Sequence, residues 1–273
     1  MNLCRYFDKY KYGKDVLKKL RLKVSDPTTY NDPFEFLPAI QGELDKKSFI
    51  NYISQNQNLK QRIGFDKIYN LENIDIVYNQ LKNQYPEALR KYIYRIREIV
   101  SNQYRVLCFS DLDKINPQED ILMWSHYTQN HSGLRIVFDS DKINISRRQL
   151  IKIDYKTERS KIHLNDILNG NKNLDNKFKT LIKEKCKTWD YENEYRLLIE
   201  RKECYSKTIN NLDLDFIKIK PNTINRVDIG VNVKDNFKNE ILELVDSEVF
   251  SHVEVNYTNI NDTEYKLNYE RIQ

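Results

Sequence analysis

The chain has 273 residues, 40% of them hydrophobic and 31% charged, and its Tyr 19, Phe 11 and Trp 2 supply a core that no wholly disordered chain carries. A net charge of +5 can attract a polyanion without requiring one, and six glycines, Gly13, Gly42, Gly64, Gly133, Gly170 and Gly230, leave no place for a dinucleotide fingerprint or a phosphate-cradling loop. No apolar run reaches the roughly 20 residues that cross a bilayer, and the start of the chain has no stretch a signal peptidase would recognise, so a cytoplasmic protein is expected.

In chain order, residues 3–7 read as a strand. Val16, Leu17 and Leu20 recur at helical spacing, and 22–24 read as a second strand before a turn at Ser25, Asp26 and Pro27. Asn31, Asp32, Pro33 and Phe34 form an ordered loop, because proline drives its predecessor out of the helical region and Asn and Asp bond nearby backbone. Residues 44–102 read as helix only, with Ala88, Leu89, Tyr92, Ile93, Ile96 and Val100 as an apolar stripe after Pro86. From Tyr104 short strands dominate, at 105–109, 134–138, 150–155, 195–199, 216–219, 226–231, 252–257 and 265–269. Helices are expected at 121–130, 174–186 and 234–245. With no repeat and no Gly/Ser-rich linker, residues 1–273 read as one α+β domain with a mixed, mostly antiparallel sheet core and an all-helical insertion at 44–102.

Two segments carry most of the chemistry. In the first, Trp189 to Arg196, an extended chain would put Asp190, Glu192, Glu194 and Arg196 on one face and Tyr191, Tyr195 and Leu197 on the other. Two carboxylates beside a guanidinium suit a site that handles a cationic sugar intermediate; they equally suit a solvated edge strand with ordinary ion pairs. In the second, Trp124 and Tyr127 offer flat surfaces for a nucleobase or nicotinamide, with Ser125 and His126 beside them for hydrogen bonds. The plainer reading makes Met123, Trp124 and Tyr127 the core side of a helix. His126 and His131 lack the four-residue zinc spacing, and the cysteines Cys4, Cys108, Cys186 and Cys204 stand far apart, so no metal site and no redox dithiol is expected. Cys108 as a nucleophile would need a base or a positive charge beside it.

These segments, with Arg5 and Tyr6 in the first strand, the Asn31 to Phe34 loop and the Cys108, Phe109, Ser110 strand, resemble in this order a bacterial family known as domain of unknown function 2971. The order of a basic, aromatic first strand, a Ser/Tyr segment and a Glu-x-Glu strand is also similar to ADP-ribosyltransferases. That second resemblance implies an ADP-ribosyltransferase-like fold and NAD as substrate, in a toxin or phage-defence setting with nucleic acid or protein as acceptor. It implies Glu194, Glu192 and Ser125 as catalytic residues. Arg5 would take the pyrophosphate, and Tyr6, Asn31, Trp124, His126, Tyr127 and Arg196 would complete the binding set. The alternative is a non-catalytic sensor of nucleotide or nucleic acid in bacterial defence. Both readings expect Arg5, Asn31, Ser125 and Glu194 around one pocket.

Overall fold

The computed structural model describes residues 1–8, 12–41, 45–55, 100–143, 150–163 and 180–273, with single positions between 75 and 98. In chain order the first strands are β1 (Asn2–Phe7), β2 (Arg21–Lys23), β3 (Ala39–Gln41), β4 (Tyr104–Asp111), β5 (Leu134–Asp139), β6 (Leu150–Lys152), β7 (Asp154–Lys156) and β8 (Lys161–His163). They are followed by β9 (Glu184–Cys186), β10 (Glu194–Glu200), β11 (Tyr205–Ile209), β12 (Leu212–Lys218), β13 (Ile224–Ile229), β14 (Glu254–Ile260) and β15 (Leu267–Arg271). Among the described residues the helices include α1 (Gly13–Lys19), α2 (Lys46–Gln55), α3 (Pro117–Tyr127) and α4 (Asp235–Val245).

Two compact units divide the chain. One holds Met1–Thr29, Gln103–Ile153 and Lys187–Gln273; the other holds Tyr30–Asn102 and Asp154–Cys186. The first unit is built on an eight-stranded sheet in the order β15-β14-β13-β5-β1-β4-β10-β6, with a three-stranded sheet β11-β12-β2. Only β13 and β14 run parallel in the large sheet, so it is mixed and mostly antiparallel, as the short alternating strands predict.

Alternation along β1 sets the two faces of that sheet. Leu3 and Phe7 join Leu107, Phe109, Ile136, Phe138, Leu197 and Ile199 in the main core, where Val16 and Leu17 of α1 and Ile241 and Val245 of α4 also pack. Cys4, Tyr6 and Val137 point the other way and meet Met123 and Trp124 of α3. Helix α1 ends where Leu20 turns left-handed at φ 48° and its N–H donates to the Val16 carbonyl at 3.0 Å. Gly133 admits no side chain, since a Cβ there would lie 2.0 Å from the Phe7 carbonyl oxygen.

Three expectations need correction. The helix expected at 121–130 begins at Pro117, because Asn116 caps it: its Oδ1 accepts from the Gln118 and Glu119 N–H groups at 3.0 and 2.9 Å, and Glu119 Oε2 accepts from the Asn116 N–H at 2.9 Å. It stops at Tyr127, and beyond it Gln129, Asn130 and His131 take left-handed φ of 52°, 54° and 62°. The stretch from Trp189 is not extended: Lys187–Glu192 is a 3-10 helix, and Asn193 at φ 45° separates it from β10. The third concerns the helix expected over 174–186, which gives way at its end to strand β9; residues 174–179, with Phe178, lie outside the described residues.

The second unit contains α2, whose Phe49 and Ile53 are buried, and two parallel strand pairs, β3 with β8 and β7 with β9. Of the apolar stripe expected there, Ile93 is buried, and Ala88, Leu89, Tyr92 and Ile96 lie outside the described residues. Among the described residues no helix is long and apolar enough to cross a membrane.

Candidate functional site

Strand register decides which of the expected residues share a surface. Cys4 stands opposite Ser110 on β4, and Ser110 opposite Glu194 on β10, so Cys4, Tyr6, Ser110, Glu194 and Arg196 all face the side on which α3 packs. The end of α3 and the 3-10 helix then meet above the start of β10. His126 Nδ1 and the Tyr191 hydroxyl lie 3.0 Å apart, and the Tyr127 hydroxyl donates to Glu192 Oε1. Trp189 lies 6.2 Å from Tyr191, and His126 lies 5.9 Å from Tyr191 and 6.3 Å from Tyr127, ring centre to ring centre. The four rings, half-buried or exposed, form an aromatic rim.

Glu194 and Arg196 form a buried ion pair at the start of β10. Arg196 donates from Nε to Oε1 at 2.6 Å and from a terminal nitrogen to Oε2 at 3.0 Å, with Glu194 3% and Arg196 0% exposed. Two parallel charge-assisted bonds away from water hold both groups in one geometry. Glu192 is buried as well, with the Tyr127 bond leading toward the rim.

The other expected residues take different positions. Arg5 lies on the opposite face of the sheet, with Leu3 and Phe7; it donates to the Lys23 carbonyl at 2.9 Å and sits 5.4 Å above the Phe7 ring. This corrects the expectation that Arg5 shares one pocket with Ser125 and Glu194, since a one-residue step along a strand reverses the side chain. Asn31 is exposed in the second unit. Ser125 donates its hydroxyl proton to the Ile121 carbonyl at 2.8 Å, so the His131 Nε2 at 3.0 Å is the donor in that contact and His131 Nδ1 stays unprotonated, buried and without a partner. Burial also pushes the His131 pKa down, in keeping with a neutral ring.

Tyr6 and Trp124 belong to a polar network below α3. Arg135 donates to Asp228 Oδ2 at 2.7 Å, to Asp120 Oδ1 at 2.8 Å and to the Tyr6 hydroxyl at 3.3 Å. The Tyr6 hydroxyl donates to Asp120 Oδ1 at 2.7 Å, Tyr269 to Asp120 Oδ2, and Trp124 Nε1 to the Tyr269 hydroxyl at 3.0 Å. Burial holds the Tyr6 hydroxyl well above its usual pKa and pushes the Cys4 thiol up to about 12. Both groups therefore stay protonated, and Tyr6 is held as a neutral donor.

Two of the residues expected to bind NAD are engaged elsewhere. The guanidinium meant for its pyrophosphate faces away, and Arg196 is held by Glu194. Among the described residues no group of three or more His, Cys, Asp or Glu side chains is arranged around a metal position. Tyr191 and Trp189, in the rim, were visible in the sequence only as part of the acidic motif, because an extended reading sends Tyr191 to the face away from Glu192.

The sequence profile of the family described as "Protein of unknown function (DUF2971)" matches residues 123–197. That span contains His126 and Tyr127 together with Trp189, Tyr191, Glu192, Glu194 and Arg196, so both halves of the rim and the pair beneath it fall within the matched stretch. No curated protein and no solved structure matches the chain.

Proposed function

We propose that this protein binds the flat ring of a nucleotide-class ligand at the aromatic rim and acts as a non-catalytic sensor of it. The observation that carries this reading is the meeting of His126 and Tyr127 with Tyr191 and Glu192, from segments 65 residues apart in sequence. Aromatic faces stack on any base, and the Tyr127 bond to Glu192 fixes one face of the rim. The bidentate Glu194 and Arg196 ion pair favours the sensor over ADP-ribosyl transfer, because a catalytic carboxylate has to meet charge developing on a ribose.

The test is calorimetric titration of the full chain with AMP, ADP-ribose, NAD and a short single-stranded RNA, with nicotinamide release followed in parallel. Stacking worth about 1–3 kcal/mol predicts that Tyr191→Ala weakens binding by roughly 5- to 150-fold. The sensor reading also predicts no nicotinamide release. Binding that Tyr191→Ala leaves unchanged would count against the rim, and release that disappears in Glu194→Gln would install the transferase reading in its place.

A further inference from the structure

The second unit holds a small cleft of about 200 Å³, room for the leading edge of a ligand, lined by Asp32, Glu35 and Glu184 and by Phe34, Arg159 and Lys185. The three carboxylate residues are buried, whereas Phe34 and Arg159 are exposed and Lys185 is half-exposed. The interior is therefore acidic, and the mouth carries Arg159 and Lys185 beside an exposed Glu158 that pairs with Lys161 at 3.2 Å. Glu184 is already neutralised, since Lys156 Nζ and Ser160 Oγ each donate to its Oε1 at 2.6 Å.

Asp32 is different. It is 3% exposed; its Oδ1 accepts the Phe34 N–H at 2.8 Å, and its Oδ2 is buried with no hydrogen-bond partner. A buried carboxylate oxygen without a donor is costly, and folded proteins keep few of them. An N–H brought by a ligand removes that cost. An apolar ligand would leave it standing, and a purely anionic one would meet the buried carboxylates. At the mouth the Arg159 guanidinium lies 5.3 Å from the centre of the Phe34 ring, a cation beside a flat apolar surface.

We propose that this cleft binds a small ligand that leads with a planar edge of N–H donors and trails an anionic group. The edge reaches Asp32 Oδ2 beside Phe34, and the anion rests against Arg159 and Lys185. The donor edge of guanine in a nucleotide and the guanidinium of free arginine share this chemistry. This proposal does not rest on the aromatic rim, which lies in the other unit.

The test is titration of the full chain with guanosine monophosphate, guanosine, arginine and agmatine. One pair, either the two guanine compounds or the two guanidinium compounds, is expected to bind, which identifies the source of the edge. Asp32→Asn keeps an oxygen for the Phe34 N–H but turns a donor toward the ligand, and it should weaken that pair at least tenfold. Arg159→Ala should weaken only the member with the anionic group, by several-fold, and leave guanosine or agmatine unchanged. If Asp32→Asn does not fold, the exposed Arg159 still decides. Failure of all four compounds to bind at millimolar concentration, equal affinity of wild type and Asp32→Asn, or Arg159→Ala with undiminished affinity for the anionic member would overturn the proposal.

Discussion

Arg135 is a charge enclosed within the first unit, and its partners explain how it stays there. Burial works against the cation, yet the carboxylates of Asp228 and Asp120 outweigh it and hold the guanidinium well above its usual pKa. Asp228 also accepts from Asn256 Nδ2 at 3.0 Å and lies 3.1 Å from Arg226 Nε, so its removal strands more than one donor. Asp228→Ala is therefore expected to destabilise the fold by about 3–5 kcal/mol in denaturant titrations, the range for stranding a buried charge. A loss below about 1 kcal/mol would mean that water reaches Arg135. This network also marks a limit on reading single residues. Tyr6 and Trp124 carry the atoms a ligand site needs, and alternation places Tyr6 on the right face, but their partners Asp120 and Tyr269 are 114 and 145 residues away respectively. Nothing local in the sequence announces those pairings. Asp32 was legible in part: its Asx turn follows from the Asn-Asp-Pro-Phe order, whereas the unpartnered Oδ2 depends on the cleft around it.

Elements defined by several consecutive residues were easier to read than their ends. The long alternating strands β1, β4, β5, β10 and β13 follow from period-two patterns, and α4 from its apolar spacing. The three-residue strands β3, β8 and β9 are too short to carry a period, and β11 is exposed along most of its length. The segment before β10 was misread because alternation extends through any polar run until something breaks it, here the left-handed Asn193. The start of α3 had a usable signal in Asn116, Pro117 and Glu119, the residues of a capped first turn. That cap has a measurable consequence, because α3 carries one half of the rim. Asn116→Ala should cost about 1 kcal/mol of stability, seen as a lower denaturation midpoint with an unchanged slope. A neutral result would show that Pro117 and tertiary packing alone fix the helix start.

At the scale of the whole molecule, the acidic limit of stability follows from carboxyls held by cations. Asp215 is raised by burial but lowered further by the Ser206 hydroxyl and by Arg105, whose Nε donates to it at 2.5 Å; Asp15 is raised by burial and lowered further by Lys19 and Arg21. Because these folded pKa values lie below the unfolded ones, the stability they contribute is present above about pH 4 and is lost as the pH falls through the folded values. Melting temperature should therefore fall on acidification below about pH 4, and Asp215→Asn should flatten that fall. An unchanged acid profile in Asp215→Asn would assign the transition to other carboxyls. The strand order has one more consequence, in time and not in energy. Strand β1 lies inside the large sheet between β5 and β4, yet its earliest strand partner begins at Tyr104, so during synthesis Leu3, Tyr6 and Phe7 leave the ribosome long before any strand exists to pair with them. At roughly 5–20 residues per second the wait is about 5–20 s. A strand made nearly a hundred residues ahead of its earliest partner can be placed only late, and until then the nascent chain presents an unpaired apolar strand to whatever in the cell protects such segments.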